Sequence, residues 1–167
     1  YARGRNLHKA AGIVMSEHNG QLPDNHEQLA ALPGIGESTA NAIISQAWDR
    51  PATVLDGNVR RVIARHDEIE GWAGKSGVQK TLWASAESRL PEQRGADYTQ
   101  AIMDLGATLC VRRNPRCDDC PVNKDCGAFH SGTVDDYPTP WPKLRISEKQ
   151  LHMLIMANTR GEILLEK

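Results

Sequence analysis

The sequence predicts a mainly α-helical domain that is followed by a linker and by the start of a β-rich segment. Hydrophobic residues make up 40% of the 167 residues and charged residues 25%, which is enough apolar material for a buried core. Aromatic residues make up only 5%, with a single Phe, so small aliphatic side chains must fill that core. This composition favours packed helices over a β-sandwich. No apolar run is long enough to span a bilayer, and no secretory signal is visible at the start.

The charge balance leaves the class of partner open. The formal net charge is −1, which is not the strongly basic balance of a typical nucleic-acid-binding protein. Local basic patches rather than totals steer a protein to DNA, so DNA binding is not excluded.

Apolar residues at helical spacing predict six helices before the last third of the chain. We place them at residues 5–15, 25–32, 37–48, 58–66, 78–90 and 98–110. Asn25 is suited to cap the short second helix. Two apolar faces stand out, one made of Ala40, Ile43, Ile44 and Ala47, the other of Tyr98, Ile102, Leu105 and Leu109.

Alternating prolines mark the end of the helical domain. Pro138, Pro140 and Pro142 stand within five residues, a pattern that disfavours helix and favours an extended linker. We therefore expect a helical domain over residues 1–130 and a linker over residues 131–150.

The last 17 residues are suited to a β-hairpin. The apolar run 151–157 predicts a strand, Asn158 to Gly161 a turn, and residues 163–165 the start of a second strand. An isolated hairpin is marginal in water, and no capping residue precedes the first helix. We therefore expect the chain to be a fragment that is cut at both ends, with residues 151–167 opening a second domain.

All four cysteines lie in one short stretch with the spacing C-x6-C-x2-C-x5-C, at Cys110, Cys117, Cys120 and Cys126. Two disulfides are one interpretation, but nothing suggests secretion and a helical core needs no such cross-links. A structural zinc site is a second interpretation, although only one C-x2-C pair is present. A 4Fe–4S cluster is the third, because a compact loop can bring four thiolates to one cube. The spacing favours a metal over disulfides, with iron–sulfur preferred and zinc left open.

A glycine-containing turn joins the second and third predicted helices. In Leu32-Pro33-Gly34-Ile35-Gly36, two glycines bracket one apolar residue, which gives a tight turn that a ligand can approach closely. The next helix opens at Glu37 and presents free N–H groups and the positive end of its dipole, which bind phosphate without reading sequence. This pattern predicts a helix-hairpin-helix at residues 32–48. The candidate DNA contacts in it are Pro33, Gly34, Ile35, Gly36, Ser38 and Thr39.

Asp56 follows two apolar residues and precedes a predicted helix. The simplest interpretation is an N-cap, a position at which Asp is common. The same N–H groups and dipole also keep a carboxylate ionised, and an ionised carboxylate beside a deoxyribose stabilises an oxocarbenium-like transition state. Asn58 is suited to orient it. Arg60, Arg61 and Arg65 are candidates for phosphate contacts, with Arg61 the preferred one.

The hairpin, the Leu-Asp-Gly-Asn-Val stretch and the four-cysteine loop occur in one order that resembles the helix-hairpin-helix DNA glycosylases with an iron–sulfur loop, relatives of endonuclease III. Residues 1–11, 55–62 and 103–107 are similar to the pattern of the MutY-type adenine glycosylases. The resemblance covers roughly residues 1–142. It implies a glycosylase core with an iron–sulfur loop at residues 110–126, and a start of a Nudix-like domain at residues 151–167.

The resemblance implies a reaction in base-excision repair. Adenine mispaired with 8-oxoguanine or guanine in double-stranded DNA is flipped out, and its glycosidic bond is hydrolysed. Asp56 then falls on the catalytic aspartate and Asn58 on its orienting neighbour. The four cysteines fall on the ligands of one 4Fe–4S cluster. Tyr1 falls on a tyrosine that wedges beside 8-oxoguanine, and Arg3 in the same stretch is a further candidate DNA contact.

Two departures from the relatives refine this expectation. Ser38 stands where endonuclease III carries the lysine that attacks the sugar, which favours a monofunctional enzyme. The family's general acid is a glutamate in a helix that would precede Tyr1, so we expect the 167 residues alone to be inactive or weak. The alternatives are a bifunctional glycosylase–lyase and a non-catalytic, metal-stabilised DNA-binding module. No membrane partner is expected; full-length relatives are expected to be monomers, and the location cytoplasmic, at the bacterial nucleoid.

Overall fold

A computed structural model describes residues 1–142, 150 and 155–164. The described residues are mainly helical, as predicted, and contain no strand beyond isolated bridges. The helices are α1 (Ala2–Glu17), α2 (His26–Ala31), α3 (Glu37–Trp48), α4 (Gly57–His66), α5 (Ser76–Glu87), α6 (Gly95–Asp104) and α7 (Gly127–Ser131). Within these same ranges, no helix has the length and apolarity needed to cross a membrane.

Two apolar clusters organise the helices. In the first, Leu29 of α2 and Ala40 of α3 are fully buried beside the inner face of α1. In the second, Val59 and Ile63 of α4 pack with Leu82 of α5. Because α4 contacts α5, α6 and α7, it is the helix around which the second half of the fold is assembled.

The predicted apolar face of α3 is partly wrong. Ala47 is exposed, whereas Ser45 is fully buried and its hydroxyl shares a hydrogen bond of 2.8 Å with the Thr99 hydroxyl of α6. The reason is that α3 packs against α6 as well as α2, and this second contact rotates the buried stripe toward Ser45.

The last predicted helix also differs from the observed one. It begins earlier, at Gly95, and its α-helical part ends at Asp104. A wider π-helical turn, Leu105–Leu109, follows and brings the Cys110 N–H to within 2.8 Å of the Leu105 carbonyl oxygen. In this turn Gly106 lies directly against the start of α4, because a Cβ there would sit 2.9 Å from the Asn58 carbonyl oxygen.

The described part of the predicted linker packs against the helical body. The Gly71 N–H donates to the Thr139 hydroxyl at 3.0 Å, and the rings of Trp72 and Trp141 meet edge to face with centroids 4.0 Å apart. Residues Thr139 and Trp141 of this stretch therefore contact the helical body. Residues 143–149 of the predicted linker lie outside the described residues.

The predicted turn at Asn158 to Gly161 is confirmed. The Asn158 side-chain oxygen accepts from the N–H groups of Arg160 and Glu162, and an antiparallel bridge joins Ala157 to Ile163. The predicted strands at 151–157 and 163–165 lie partly outside the described residues. The β-rich second domain therefore stays a prediction.

Candidate DNA-binding and catalytic site

The predicted hairpin connects α2 to α3 and exposes backbone at its tip. The Ile35 N–H donates to the Leu32 carbonyl oxygen at 3.1 Å, and Gly34 has a φ of +83°, a conformation that favours glycine. Gly36 is extended and precedes the first turn of α3; no side chain in the described chain caps that turn. The first N–H groups of α3 are therefore available to an anion at the positive end of the helix dipole.

The N-terminal helix lies against this hairpin. A Cβ on Gly34 would be 2.9 Å from the Cβ of Asn6, so glycine is required there for contact as well as for conformation. Arg3, a candidate DNA contact, precedes Asn6 by three residues and so lies on the face of α1 that meets the hairpin. Tyr1, at the helix start, is fully exposed. Asn6 was not predicted, because its contact with Gly34 exists only in the folded chain.

Asp56 is half-buried and caps α4. Its Oδ1 atom accepts from the N–H groups of Asn58 at 2.9 Å and Val59 at 2.8 Å. Neither bond uses Oδ2, which has no hydrogen-bond partner among the described residues. The cap interpretation is thus correct, and it leaves one carboxylate oxygen for another role.

Two side chains of α3 hold the segment that leads into Asp56. The Ser38 hydroxyl accepts from the Leu55 N–H at 3.0 Å, and the Asn41 side-chain amide donates to the Thr53 carbonyl oxygen at 2.8 Å. Ser38 was predicted as a DNA contact, whereas its hydroxyl oxygen is already engaged within the protein. Asn41 was not predicted; its one signal is its helical spacing of three residues from Ser38.

Arg61 connects Asn58 to the cysteine loop. Its guanidinium donates to the Asn58 side-chain oxygen at 2.9 Å, to the Gly106 carbonyl oxygen at 2.5 Å and to the Cys110 carbonyl oxygen at 2.6 Å. Burial is the main cause that lowers the pKa of Arg61, and the group remains charged at neutral pH. This geometry argues against the phosphate contact predicted for Arg61 and gives it a structural role that orients Asn58.

Arg65 is buried, with 3% of its surface exposed, so the predicted phosphate contact is wrong. Its guanidinium donates to the carbonyl oxygens of Val111, Arg112, Val134 and Tyr137. It also reaches the Cys110 sulfur at 3.4 Å. The physical reason is that a guanidinium has five donors, and the turning backbone of the cysteine loop offers unpaired carbonyl groups. Arg65 therefore fastens the residues after Cys110 to the end of α4.

The four cysteines are free thiols that line one shared cavity of about 30 Å³. Its other walls are mainly apolar, with Leu109 and Phe129 among them. Burial is the main cause that raises the pKa of the Cys117 and Cys126 thiols. Among the described residues, no three His, Cys, Asp or Glu side chains come close enough to hold one metal ion.

The chemistry of the donor set suits a thiolate-bound metal group. A water-sized sphere needs roughly 10–15 Å³ by this measure, so the cavity between the cysteines has room for a group larger than one water molecule. Four thiol ligands and a hydrogen bond from a cation to one sulfur suit an anionic, thiolate-bound cluster.

The chain is similar to a known sequence motif and to known DNA glycosylases. The helix-hairpin-helix motif matches residues 17–45, which include α2, the hairpin and most of α3. The adenine DNA glycosylase of Buchnera aphidicola subsp. Baizongia pistaciae is 32% identical over all 167 residues, which are 47% of that relative. The mouse adenine DNA glycosylase is 41% identical over 130 residues, 77% of this chain and 25% of that relative. The chain is a homologue of the adenine DNA glycosylases. It spans less than half the length of these relatives.

Solved structures extend this homology to the fold. A thermostable thymine-DNA glycosylase superposes with a TM-score of 0.64 at 29% identity, over 77% of this chain and 59% of that one. Endonuclease III in a non-covalent complex with DNA superposes with the same TM-score at 25% identity, over 78% of this chain and 59% of that one. The chain therefore shares the helical core of these two solved structures.

Proposed function

We propose that the protein removes adenine mispaired with 8-oxoguanine or guanine from duplex DNA, the base-excision step of repair. The observation that carries this proposal is the Asp56 carboxylate, which is fixed at a helix start next to the hairpin segment and keeps Oδ2 free for a substrate. Homology with adenine DNA glycosylases supplies the substrate class. Because the chain spans less than half of those relatives, we assign the activity to the protein at their length.

The proposed reaction divides the work between the hairpin and α4. The hairpin glycines and the first N–H groups of α3 hold a DNA phosphate, while Arg3 and Tyr1 contact the strand on the same side. The target adenosine is flipped out of the stack. Asn58, held by Arg61, orients the carboxylate of Asp56 toward the deoxyribose.

Cleavage breaks the C1′–N9 bond, and its electron pair leaves with adenine. Positive charge develops on C1′ and the ring oxygen, and the Asp56 carboxylate stabilises it. The departing adenine takes up a proton from a general acid, which we propose is the glutamate that the family resemblance places in a helix before Tyr1. A water molecule adds to C1′, and the proton that it loses passes back to this deprotonated acid.

A monofunctional reaction follows from the chemistry of Ser38. Strand cleavage by a lyase requires an amine that forms a Schiff base with the sugar. A neutral hydroxyl that accepts from the Leu55 N–H cannot form one. Borohydride trapping with the substrate duplex is therefore expected to give no covalent protein–DNA adduct, and a trapped adduct would favour the bifunctional alternative.

We also propose that Cys110, Cys117, Cys120 and Cys126 hold one 4Fe–4S cluster. When bound, the cluster supplies four metal–thiolate bonds that tie the loop into one unit. Arg65 offsets the negative charge of the cluster through its hydrogen bond to the Cys110 sulfur. Arg61 links the cluster loop to Asn58, because it donates to both the Cys110 carbonyl oxygen and the Asn58 side-chain oxygen. A single zinc ion is the alternative for the same donors.

The decisive experiment measures single-turnover release of adenine by the protein extended to the length of its relatives. Duplexes that carry adenine opposite 8-oxoguanine or guanine are expected to lose the base, and a duplex with adenine opposite thymine is expected to stay intact. Cleavage of all three duplexes at one rate would contradict the proposed substrate. We expect the 167-residue chain alone to bind duplex DNA with little or no release of adenine. We expect the protein at the length of its relatives to be a monomer that acts on the bacterial nucleoid in the cytoplasm.

A further inference from the structure

The segment from Thr53 to Leu55 is buried, but it belongs to no helix or strand of the described residues. Its backbone groups therefore lack the regular hydrogen bonds of such an element. Buried backbone groups need partners, so the Thr53 carbonyl requires a donor and the Leu55 N–H requires an acceptor from elsewhere in the fold.

Helix α3 provides both groups from side chains. Ser38 and Asn41 are three residues apart and therefore lie on one face of the helix. Asn41 donates to the Thr53 carbonyl at 2.8 Å, and Ser38 accepts from the Leu55 N–H at 3.0 Å. Together the two side chains pair backbone groups that no helix or strand pairs, and the residue after this attachment is Asp56.

Ser38 also belongs to the first turn of α3, next to the hairpin. Its own N–H is among the groups that the proposed function assigns to a DNA phosphate, while its hydroxyl holds Leu55. A single residue, Ser38, therefore connects the proposed phosphate contact to the segment that leads into Asp56.

We propose that Ser38 and Asn41 are positioning residues for the Asp56 carboxylate, which they join to the DNA-binding hairpin as one rigid unit. This inference rests on the proposed function, since it deepens the role of Asp56 in that site. Binding of a DNA phosphate at the start of α3 then fixes the position of the Asp56 carboxylate relative to the bound DNA strand. Without the two side-chain bonds, the hairpin still binds DNA but the carboxylate is held only by its own cap.

The test compares Ser38→Ala and Asn41→Ala with two reference variants. Ser38→Thr keeps a hydroxyl at the same position. Gln46→Ala removes a side-chain hydrogen bond from the exposed face of α3, where Gln46 bonds to Gln100 at 3.0 Å and has no contact with the segment.

The first readout is amide hydrogen exchange in the 167-residue chain. The Asn58 and Val59 N–H groups, which donate to Asp56, are expected to exchange about tenfold faster in Ser38→Ala and Asn41→Ala, the scale of one lost hydrogen bond. In Ser38→Thr and Gln46→Ala, the exchange rates of the same two amides are expected to stay within about twofold of those of the parent. The Ile63 amide, in the buried middle of α4, reports overall stability and is expected to stay unchanged.

The second readout is kinetic, in the protein extended to the length of its relatives. Ser38→Ala is expected to lower the single-turnover rate about tenfold while the Kd for uncleaved duplex stays within about twofold, because positioning acts in the transition state. Ser38→Thr is expected to restore the rate.

Two results would overturn the inference. One is unchanged exchange at Asn58 and Val59 in both alanine variants. The other is faster exchange at Ile63 by the same factor, which would mean that the side chains only stabilise the fold. Failure of the proposed function is a separate result: an Asp56→Asn protein with full activity would reject the role of Asp56, while the exchange data would still decide whether Ser38 and Asn41 hold its segment.

Discussion

At Asp56, oxygen Oδ1 accepts two backbone N–H groups and oxygen Oδ2 accepts none within the described chain. A carboxylate divided in this way can cap a helix and face a substrate at once. The cap depends on hydrogen-bond acceptance, which an amide oxygen also provides. Stabilising an oxocarbenium ion depends on negative charge, which an amide lacks.

Replacing Asp56 with Asn therefore separates the two roles. In the protein extended to the length of its relatives, we expect Asp56→Asn to keep the fold and to slow adenine release by roughly 10²-fold or more, the scale of a lost electrostatic stabiliser. Circular dichroism and thermal unfolding check the fold, and single-turnover release checks the rate. An unchanged rate would reduce Asp56 to a helix cap.

At the scale of elements, the hairpin offers a clean test because its two glycines differ. Gly34 is needed for its positive φ and its contact with Asn6, whereas an added Cβ at Gly36 meets no atom within 4 Å in the described structure. We expect Gly36→Val to leave the fold intact and to weaken duplex binding by blocking the approach of phosphate to α3.

Salt titrations of duplex affinity measure this effect. The parent affinity should fall steeply with salt, because the contacts are to phosphate. Gly77→Val is the matched control, since Gly77 stands in the first turn of α5 and is equally open. Equal affinities of parent and Gly36→Val across the salt series would show that DNA binds elsewhere.

The end of α4 contains a polar cluster that couples this helix to α5. Asp67 accepts from the Ser85 hydroxyl of α5, from the Arg89 guanidinium just after α5, and from its neighbour His66. Burial alone would raise the pKa of Asp67, but the hydrogen bonds from His66 and Ser85 and the charge of Arg89 together lower it. A carboxyl whose pKa is lower in the folded state stabilises the fold above its unfolded pKa of about 3.9 and loses this contribution as pH falls through the folded value.

We therefore expect Asp67→Asn to lower the free energy of unfolding at neutral pH, with a difference from the parent that shrinks below about pH 4. Denaturant unfolding at a series of pH values measures both. Asp97→Asn is the control, because Asp97 forms an exposed ion pair with Arg94 that contributes little. A difference that grew toward acid pH would contradict the ion-pair account of Asp67.

The elements that sequence could predict are those fixed by near neighbours. The span of α3, the glycine turn and the Asp56 cap each follow from residues within one or two turns. Arg65 was misassigned as a phosphate contact because its carbonyl acceptors lie 46 to 72 positions away. Two of the three acceptors of Arg61 are likewise distant, at 45 and 49 positions. Helical spacing shows which side of α4 an arginine occupies, but only the packed chain shows that this side faces carbonyl groups rather than solvent. The same limit hid the link from Asn41 to Thr53.

For the molecule as a whole, the metal content is the property with the widest consequences. Protein purified without oxygen is expected to contain about four iron atoms and to absorb broadly near 400 nm, as sulfide-to-iron charge transfer does. Metal analysis with one zinc and no iron would support the alternative site. Cys117→Ala is expected to lose the metal and to destabilise the whole loop, because loss of a metal ligand is among the larger single-site effects.

Because Arg61 and Arg65 of α4 hold the cysteine region, that region can open separately from the rest of the fold. Residues 110–137 contribute little apolar core among the described residues and are held largely by guanidinium bonds to backbone carbonyls. Regions with few buried apolar contacts open before the rest of a protein. The stretch contains four trypsin sites, at Arg112, Arg113, Arg116 and Lys124. Cleavage requires the backbone carbonyl groups that Arg65 binds to detach from it. The rate of tryptic cleavage between residues 110 and 126 thus measures this opening. Arg65→Lys keeps the charge but loses the planar set of donors, so it should accelerate cleavage while the core helices remain intact.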